Sequence, residues 1–301
     1  MKITVFTPTY NRAYIIENLY RSLQRQTCHD FEWLVVDDGS SDNTKELFDI
    51  WQKEENPFPI RYYYKENGGK HRAINYAVLL AVGEVFFIVD SDDYLTDDAV
   101  AVILNQFLSL PQNSEQKFAG ICNCRGYSLT EIMGTTFGGR SIDCTSLERT
   151  SFGIEGDKAE VFYTHILRKY PFPEFENEKF ITEAVVWDRI AADGYKLRFF
   201  NKIIYIGEYR KDGLTSQGLD LYHRNPLGYA LYLKQTRRYH KFSAGVQRYF
   251  DVEFYLNCKN RMRLQEISER LGIPAVKLIA QVVLYKMRLF AGKIKRMIIS
   301  K

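Results

Sequence analysis

The chain is 301 residues long, 46% hydrophobic and 15% aromatic, which fits one large globular domain, or one with a helical extension, and excludes a disordered or disulfide-stapled chain. Five cysteines, Cys28, Cys122, Cys124, Cys144 and Cys258, form no disulfide framework and favour a reducing, cytoplasmic setting; no apolar run is long enough to span a bilayer. Net charge is +4, yet eight basic residues and no acidic one follow Glu269, so residues 1–269 carry −4; an acidic body with one basic end argues against nucleic acid as a partner.

Residues 3–7 predict a first strand, entered at once from the N-terminus with no secretory signal. Ile15, Ile16, Leu19 and Leu23 fall at helical spacing over 14–23. A second strand over 33–36 ends in Asp37-Asp38-Gly39-Ser40-Ser41-Asp42, where Ser41 or Asp42 is placed to cap a helix over 44–53. Residues 60–64 read as a third strand, and Asn67-Gly68-Gly69-Lys70 leads into a helix through Ile74, Ala77, Val78 and Ala81. Strand four, 85–89, runs apolar and aromatic into Asp90-Ser91-Asp92-Asp93, and Thr96-Asp97-Asp98 opens a further helix. This alternation predicts a mostly parallel sheet with helices on both faces. Residues 119–121 read as a strand, so Cys122-Asn123-Cys124 are structural thiols rather than half of a zinc site, since no second pair follows. Residues 134–156 read as an irregular, glycine-rich loop over the site. Pro171-Phe172-Pro173-Glu174 breaks the chain before a helix over 184–192. Residues 197–209 read as strands, and from about Asp220 the pattern is helical.

The acidic motif says most about chemistry. Carboxylates at the end of a strand buried on both faces need a cation nearby, because unpaired buried charge is costly. Asp90 and Asp92, one residue apart, suit a hard divalent ion, Mg²⁺ or Mn²⁺, that takes oxygen ligands and bridges a diphosphate. The carboxyl ends of strands are also where open α/β sheets bind ligands. Two other phosphate devices are missing. Thr7-Pro8-Thr9-Tyr10-Asn11-Arg12 after strand one contains no G-x-G-x-x-G, and Lys70 lacks the upstream Gly and following Ser or Thr of a P-loop. Phosphates are therefore expected on the metal, on Lys or Arg, and on loop amides.

Four segments in order, Thr7-Pro8-Thr9-Tyr10-Asn11-Arg12, Val35-Val36-Asp37-Asp38-Gly39-Ser40-Ser41-Asp42, Asn67-Gly68-Gly69-Lys70-His71-Arg72-Ala73-Ile74-Asn75 and Asp90-Ser91-Asp92-Asp93, resemble the family-2 glycosyltransferases of the GT-A fold. Each is weak alone; the ordered set is specific, and the resemblance covers roughly residues 1–216. It implies an α/β GT-A catalytic domain over 1–218 (nucleotide half about 1–110, acceptor half about 111–218) and a helical region over 219–301. It further implies an inverting transferase that uses a nucleotide-diphospho-sugar, most often a UDP-sugar, with Mn²⁺ or Mg²⁺. Carried over position by position, Thr7, Pro8, Thr9 and Asn11 would line the nucleoside pocket. Asp38, with Gly39 beside it, would accept hydrogen bonds from uracil, which a carboxylate can do for the N–H edge of the base. Lys70 would lie near the uracil or the diphosphate, Asp90 and Ser91 near the ribose and metal, and Asp92 on the metal. Where many relatives have Ala-Arg-Asn, this chain has Ala73-Ile74-Asn75; Asn75 stays in the donor-binding set while the Arg role is lost or passes to Lys70 or Arg72.

The same resemblance places a base. The family has Glu-Asp at a helix start, with the Asp six residues before an Arg; counting back from Arg189-Ile190-Ala191 gives Glu183, after Thr182. Glu183 is thus the candidate base, one methylene longer than usual, with Glu178 and Asp188 as rivals. Tyr209-Arg210 and Gly213-Leu214-Thr215-Ser216 resemble a late family segment near the donor phosphates, which makes Arg210 a candidate partner of the diphosphate.

Residues 275–300 interleave apolar and basic positions. A basic amphipathic helix fits a membrane surface, which would bring the enzyme peripherally to the inner face of the cell membrane and to a glycan or lipid-linked acceptor. The same stripe fits a helix packed on the rest of the protein with its basic residues in solvent. Two other functions compete. A sugar-nucleotide nucleotidyltransferase is expected to carry a glycine-rich loop after strand one, and none is present. A non-catalytic sugar-nucleotide-binding module fits poorly with Asp92 and Glu183 both being in place.

Overall fold

The computed structural model describes residues 2–111 and 116–299, with side chains as far as Arg288. In chain order the elements are β1 (Ile3–Thr9), α1 (Glu17–Gln24), β2 (Phe31–Asp37), α2 (Thr44–Trp51), β3 (Ile60–Tyr64), α3 (Lys70–Leu80) and β4 (Val85–Ile88). There follow β5 (Tyr94–Leu95), α4 (Ala99–Leu108), β6 (Phe118–Gly126), β7 (Ser141–Cys144), β8 (Lys158–Tyr163), α5 (Thr164–Lys169), α6 (Ala184–Ala192) and β9 (Lys196–Ile206). Among the described residues these strands make one sheet in the order β3-β2-β1-β4-β8-β6-β9-β5, with β7 paired to β9 off this path.

The sheet is mixed. β1 to β4 run parallel, as the βαβ alternation predicts. β8 is antiparallel to both β4 and β6, and β5 and β7 are antiparallel to β9. The order β3-β2-β1-β4 takes the chain outward from β1 and returns it on β1's other side. A topological switch point therefore lies between the carboxyl ends of β1 and β4, where open α/β sheets bind ligands.

Aromatic packing fixes this parallel half. The Tyr20 ring of α1 stacks on Trp51 at 4.3 Å and faces Trp33 of β2 at 5.9 Å. Full burial of each such side chain is worth about 1.5–3 kcal/mol. The stretch 134–156 is more ordered than its glycine content suggests: it contains β7 and a 3-10 turn at Arg149–Phe152. The buried Lys158 ties it down by donating from Nζ to the carbonyls of Glu155 (2.6 Å) and Met133 (3.2 Å).

Contacts divide the chain into two compact units, Met1–Glu174 with Val186–Ser216, and Phe175–Val185 with Gln217–Lys301. The second unit contains α7 (Gly218–Arg224), α8 (Pro226–Tyr239), α9 (Ala244–Cys258), α10 (Leu264–Leu271) and α11 (Ala275–Ile299). Residues 175–185 group with these helices for polar reasons. Glu178 accepts from the first-turn amides of α8, Leu227 N at 2.6 Å and Gly228 N at 2.8 Å, and Asn225 Oδ1 accepts from Lys179 N at 2.8 Å. The helical core gathers Tyr229, Leu233, Phe254, Ile267, Leu271, Leu278 and Val282. Leu278 and Val282 of α11 thus face the core, while Val276, Ile279, Val283, Leu284 and Met287 are exposed. No helix among the described residues is long and apolar enough to cross a membrane.

Candidate active site

After β1 the chain turns through Asn11, which has left-handed backbone (φ 53°). Its Oδ1 accepts from Ser41 N at 2.8 Å, and its N donates to Ser40 Oγ at 2.8 Å, so the loops after β1 and β2 are tied together. Asp42 adds a further tie by accepting from Ala13 N at 3.0 Å. Asp38 is buried, and four donors converge on it. Lys65 Nζ (2.5 Å) and Gly68 N (2.9 Å) reach Oδ1; Asn67 Nδ2 (3.2 Å) and Gly69 N (2.7 Å) reach Oδ2. The carboxylate thereby sets the turn that starts α3. Gly39, at φ 90°, must lack a side chain, since a Cβ there would lie 2.7 Å from Asn67 N.

That turn brings Lys70 Nζ to 2.6 Å from Asp90 Oδ1 at the end of β4. From the loop after β1, Arg12 approaches Asp92 at 3.7 Å and donates to the Asp212 carboxylate and, at 3.2 Å, to its carbonyl. Arg210 lies 3.5 Å from the same carboxylate. The Tyr14 hydroxyl, with Arg12 added, holds the Asp212 carboxyl down at about 2. The switch point is thus lined by aspartates and cations paired crosswise.

A buried layer supports this arrangement. Arg125 of β6 sits 2.6 Å from Asp93 and 3.9 Å from Asp90, its guanidinium 4.1 Å above the Tyr205 ring of β9. The Tyr205 hydroxyl donates to Asp93 Oδ2 at 2.7 Å and accepts from Asp90 N at 2.9 Å. Burial pushes Asp93 up to about 7 against the pull of Arg125, with Asp90 adding to the rise. For Asp90, desolvation also works upward, but Lys70 and Arg125 outweigh it and hold the carboxyl below its usual range.

Two other expected site residues, Thr7 and Asn75, are engaged elsewhere. Thr7 is turned into the core, its Oγ1 accepting from Trp33 Nε1 at 3.0 Å. Asn75 donates to Phe172 O (2.9 Å) and Glu174 Oε1 (2.8 Å) and accepts from Phe172 N (2.8 Å). Thr9 and Ser91 are buried and Pro8 half-buried at the strand ends; Thr9 Oγ1 has no hydrogen-bond partner among the described residues. Glu183 stands half-buried in the turn directly before α6, and Asp188 is buried within that helix. Glu178 holds the start of α8, a structural task that sets it apart from its rivals as a base. Arg12, Arg125, Tyr205 and Asp212 received no role from the sequence. An arginine ending the buried strand Ala119-Gly120-Ile121-Cys122-Asn123-Cys124 was the available signal for Arg125, because such a charge needs a partner.

Among the described residues no three Asp, Glu, His or Cys side chains form a ready metal cage. A hard cation that takes phosphate oxygens and keeps waters needs only one or two carboxylates from the protein, which Asp90 and Asp92 would supply.

Residues 4–116 match the family described as glycosyl transferase family 2, a stretch that holds the loops after β1, β2, β3 and β4. Over that stretch the chain is similar to the family-2 glycosyltransferases. GalNAc(5)-diNAcBac-PP-undecaprenol beta-1,3-glucosyltransferase of Campylobacter jejuni is 28% identical over 243 residues, 76% of this chain and 72% of that one. S. aureus TarS 1-349 in complex with UDP-GlcNAc superposes with a TM-score of 0.58 at 21% identity, over 89% of this chain and 75% of that one. Mannosyltransferase PcManGT from Pyrobaculum calidifontis, in complex with GDP-Man and Mn²⁺, gives 0.54 at 20% identity, over 95% and 80%. These likenesses establish the GT-A fold around residues 4–116. Two curated relatives at 37% and 36% identity match over 106 and 103 residues, so the chain spans 36% and 17% of their length.

Proposed function

We propose that the family-2 domain transfers a sugar from a nucleotide-diphospho-sugar, a UDP-sugar by preference, to a hydroxyl of a glycan or lipid-linked acceptor with inversion. The crosswise pairing at the switch point carries this reading. Lys70, Arg12 and Arg210 are balanced by Asp90, Asp92 and Asp212. An incoming diphosphate offers the cations stronger, charge-assisted partners and releases the aspartates for a cation of the donor complex. Mn²⁺ or Mg²⁺ held by Asp90 and Asp92 would act as a Lewis acid toward the leaving diphosphate. The three basic side chains bind and orient the phosphates and stabilise their growing charge. Glu183, at the start of α6, accepts the proton of the attacking hydroxyl, a role that needs a carboxylate within hydrogen-bond reach.

Asp38 contributes to donor binding through the turn it holds. Both of its oxygens already serve Lys65, Asn67, Gly68 and Gly69, so a uracil contact would displace one of these donors. The acceptor reading is supported by the undecaprenol-linked acceptor in the name of the C. jejuni relative. A peripheral position on the inner face of the membrane is supported by α11, whose exposed Val276, Ile279, Val283 and Met287 stand among Lys277, Lys286 and Arg288. The side chains of Lys293, Lys295, Arg296 and Lys301 lie outside the described residues.

A panel of nucleotide sugars separates this function from its competitor. The transferase slowly releases the nucleoside diphosphate from its donor. A nucleotidyltransferase would release pyrophosphate from a nucleoside triphosphate and a sugar phosphate instead, and that result would overturn the proposal.

A further inference from the structure

Within the helical unit, α7, α9 and α11 border a half-open cleft of about 330 Å³ lined by His223, Tyr249, Val252, Glu253, Leu256, Asn257 and Tyr285. That volume lies in the range of small-ligand clefts. Helical spacing puts Tyr249, Glu253 and the pair Leu256 and Asn257 on one face of α9. His223 Nε2 is hydrogen bonded to Glu253 Oε1, and the Tyr229 hydroxyl donates to Glu253 Oε2 at 3.0 Å. Asn257 Oδ1 is buried without a hydrogen-bond partner among the described residues, a state that ordinarily points to a water or a ligand group.

The chemistry of the lining narrows the ligand. Among the described residues no Lys or Arg lines the cleft, so a phosphate finds no cation in that lining. The Glu253 carboxylate is already engaged at both oxygens, by His223 and Tyr229, so a cation would have to displace those donors. An alkyl chain would desolvate the His223–Glu253 pair and the Asn257 amide without replacing their hydrogen bonds. A pyranose ring fits this lining, with an apolar face for the tyrosines and hydroxyls for the Asn257 amide. Tyr249, 51% exposed, offers its ring to such a face.

We propose that this cleft of the helical unit is a neutral-glycan subsite that holds part of the acceptor. The proposal rests on the glycan-acceptor reading above and deepens it. The test uses the full chain, without donor, on a printed array of bacterial oligosaccharides. The unaltered chain is expected to bind a subset of neutral glycans. Tyr249→Ala, at an exposed position, and Asn257→Leu, which keeps the shape and removes the amide, are each expected to lower that binding at least tenfold with an unchanged melting temperature. Equal binding by both folded variants overturns the subsite, as does binding of no glycan by the unaltered chain. Nucleoside diphosphate release from donor alone reads the transferase function separately. Its loss with glycan binding intact would therefore sink the transfer reading and leave the subsite standing.

Discussion

Arg125 and His71 show what burial does to single charged or ionisable groups in this chain. Arg125 neutralises Asp93 under the acidic motif, and removing one partner of a buried pair strands the other. Arg125→Leu is therefore expected to destabilise the fold by about 3–5 kcal/mol, read as a lowered urea midpoint. His71 is 2% exposed, with neither ring nitrogen hydrogen bonded among the described residues. Burial, with Arg72 adding, pulls its pKa down to about 4. The unfolded chain takes up a proton near 6.5, whereas the fold resists it until about pH 4, so stability is lost as pH falls through that window. The loss attributable to His71 is about 2 kcal/mol at pH 5. Urea melts at pH 7.5 and 5 should show it, and His71→Gln should remove that share; an unchanged difference would place the acid sensitivity elsewhere.

Helix starts decide the roles of two acidic residues five positions apart. Glu178 accepts from two first-turn amides of α8, so Glu178→Ala should cost about 1–3 kcal/mol in the helical unit while turnover at permissive temperature persists. Glu183→Gln should instead lower kcat by about 10²–10⁴ with the melting temperature kept, because it removes basicity and preserves size. Reversed outcomes would exchange the two assignments. The family resemblance led to both positions but could not separate them, since a carboxylate near a helix start reads alike whether it caps or catalyses. The parallel strands were legible because buried apolar runs alternate with amphipathic helices. In the other half the strands at 119–121 and 197–209 were legible, whereas β7 is four residues long and β5 two, too short for a periodic signal. In the site, the acidic motif drew notice from its place at a strand end, and Lys70, pointed to by the family resemblance, lies 2.6 Å from Asp90. The inward turn of Thr7 and the internal bonding of Asn75 depend on neighbours such as Trp33 and Phe172, which local sequence does not reveal.

For the molecule as a whole, α11 packs part of its apolar stripe on the helical core and leaves part of it exposed. Leu278 and Val282 belong to the helical core, so truncation after Pro274 removes packing and should destabilise that unit rather than leave a soluble enzyme. The exposed stripe supplies the cleaner test of membrane contact. Val283→Ser with Met287→Ser should reduce sedimentation with anionic liposomes while the melting temperature holds, and added salt should weaken the remaining binding. Liposome binding that ignores both changes would remove the membrane from the account. The central claim, donor cleavage at paired aspartates and cations on the switch point, is tested most directly by the rate of UDP release from its UDP-sugar during a Mn²⁺ titration after EDTA. The account predicts background release in EDTA, recovery with Mn²⁺, and no recovery in Asp92→Ala; full release in EDTA, or an undiminished Asp92→Ala, would contradict it.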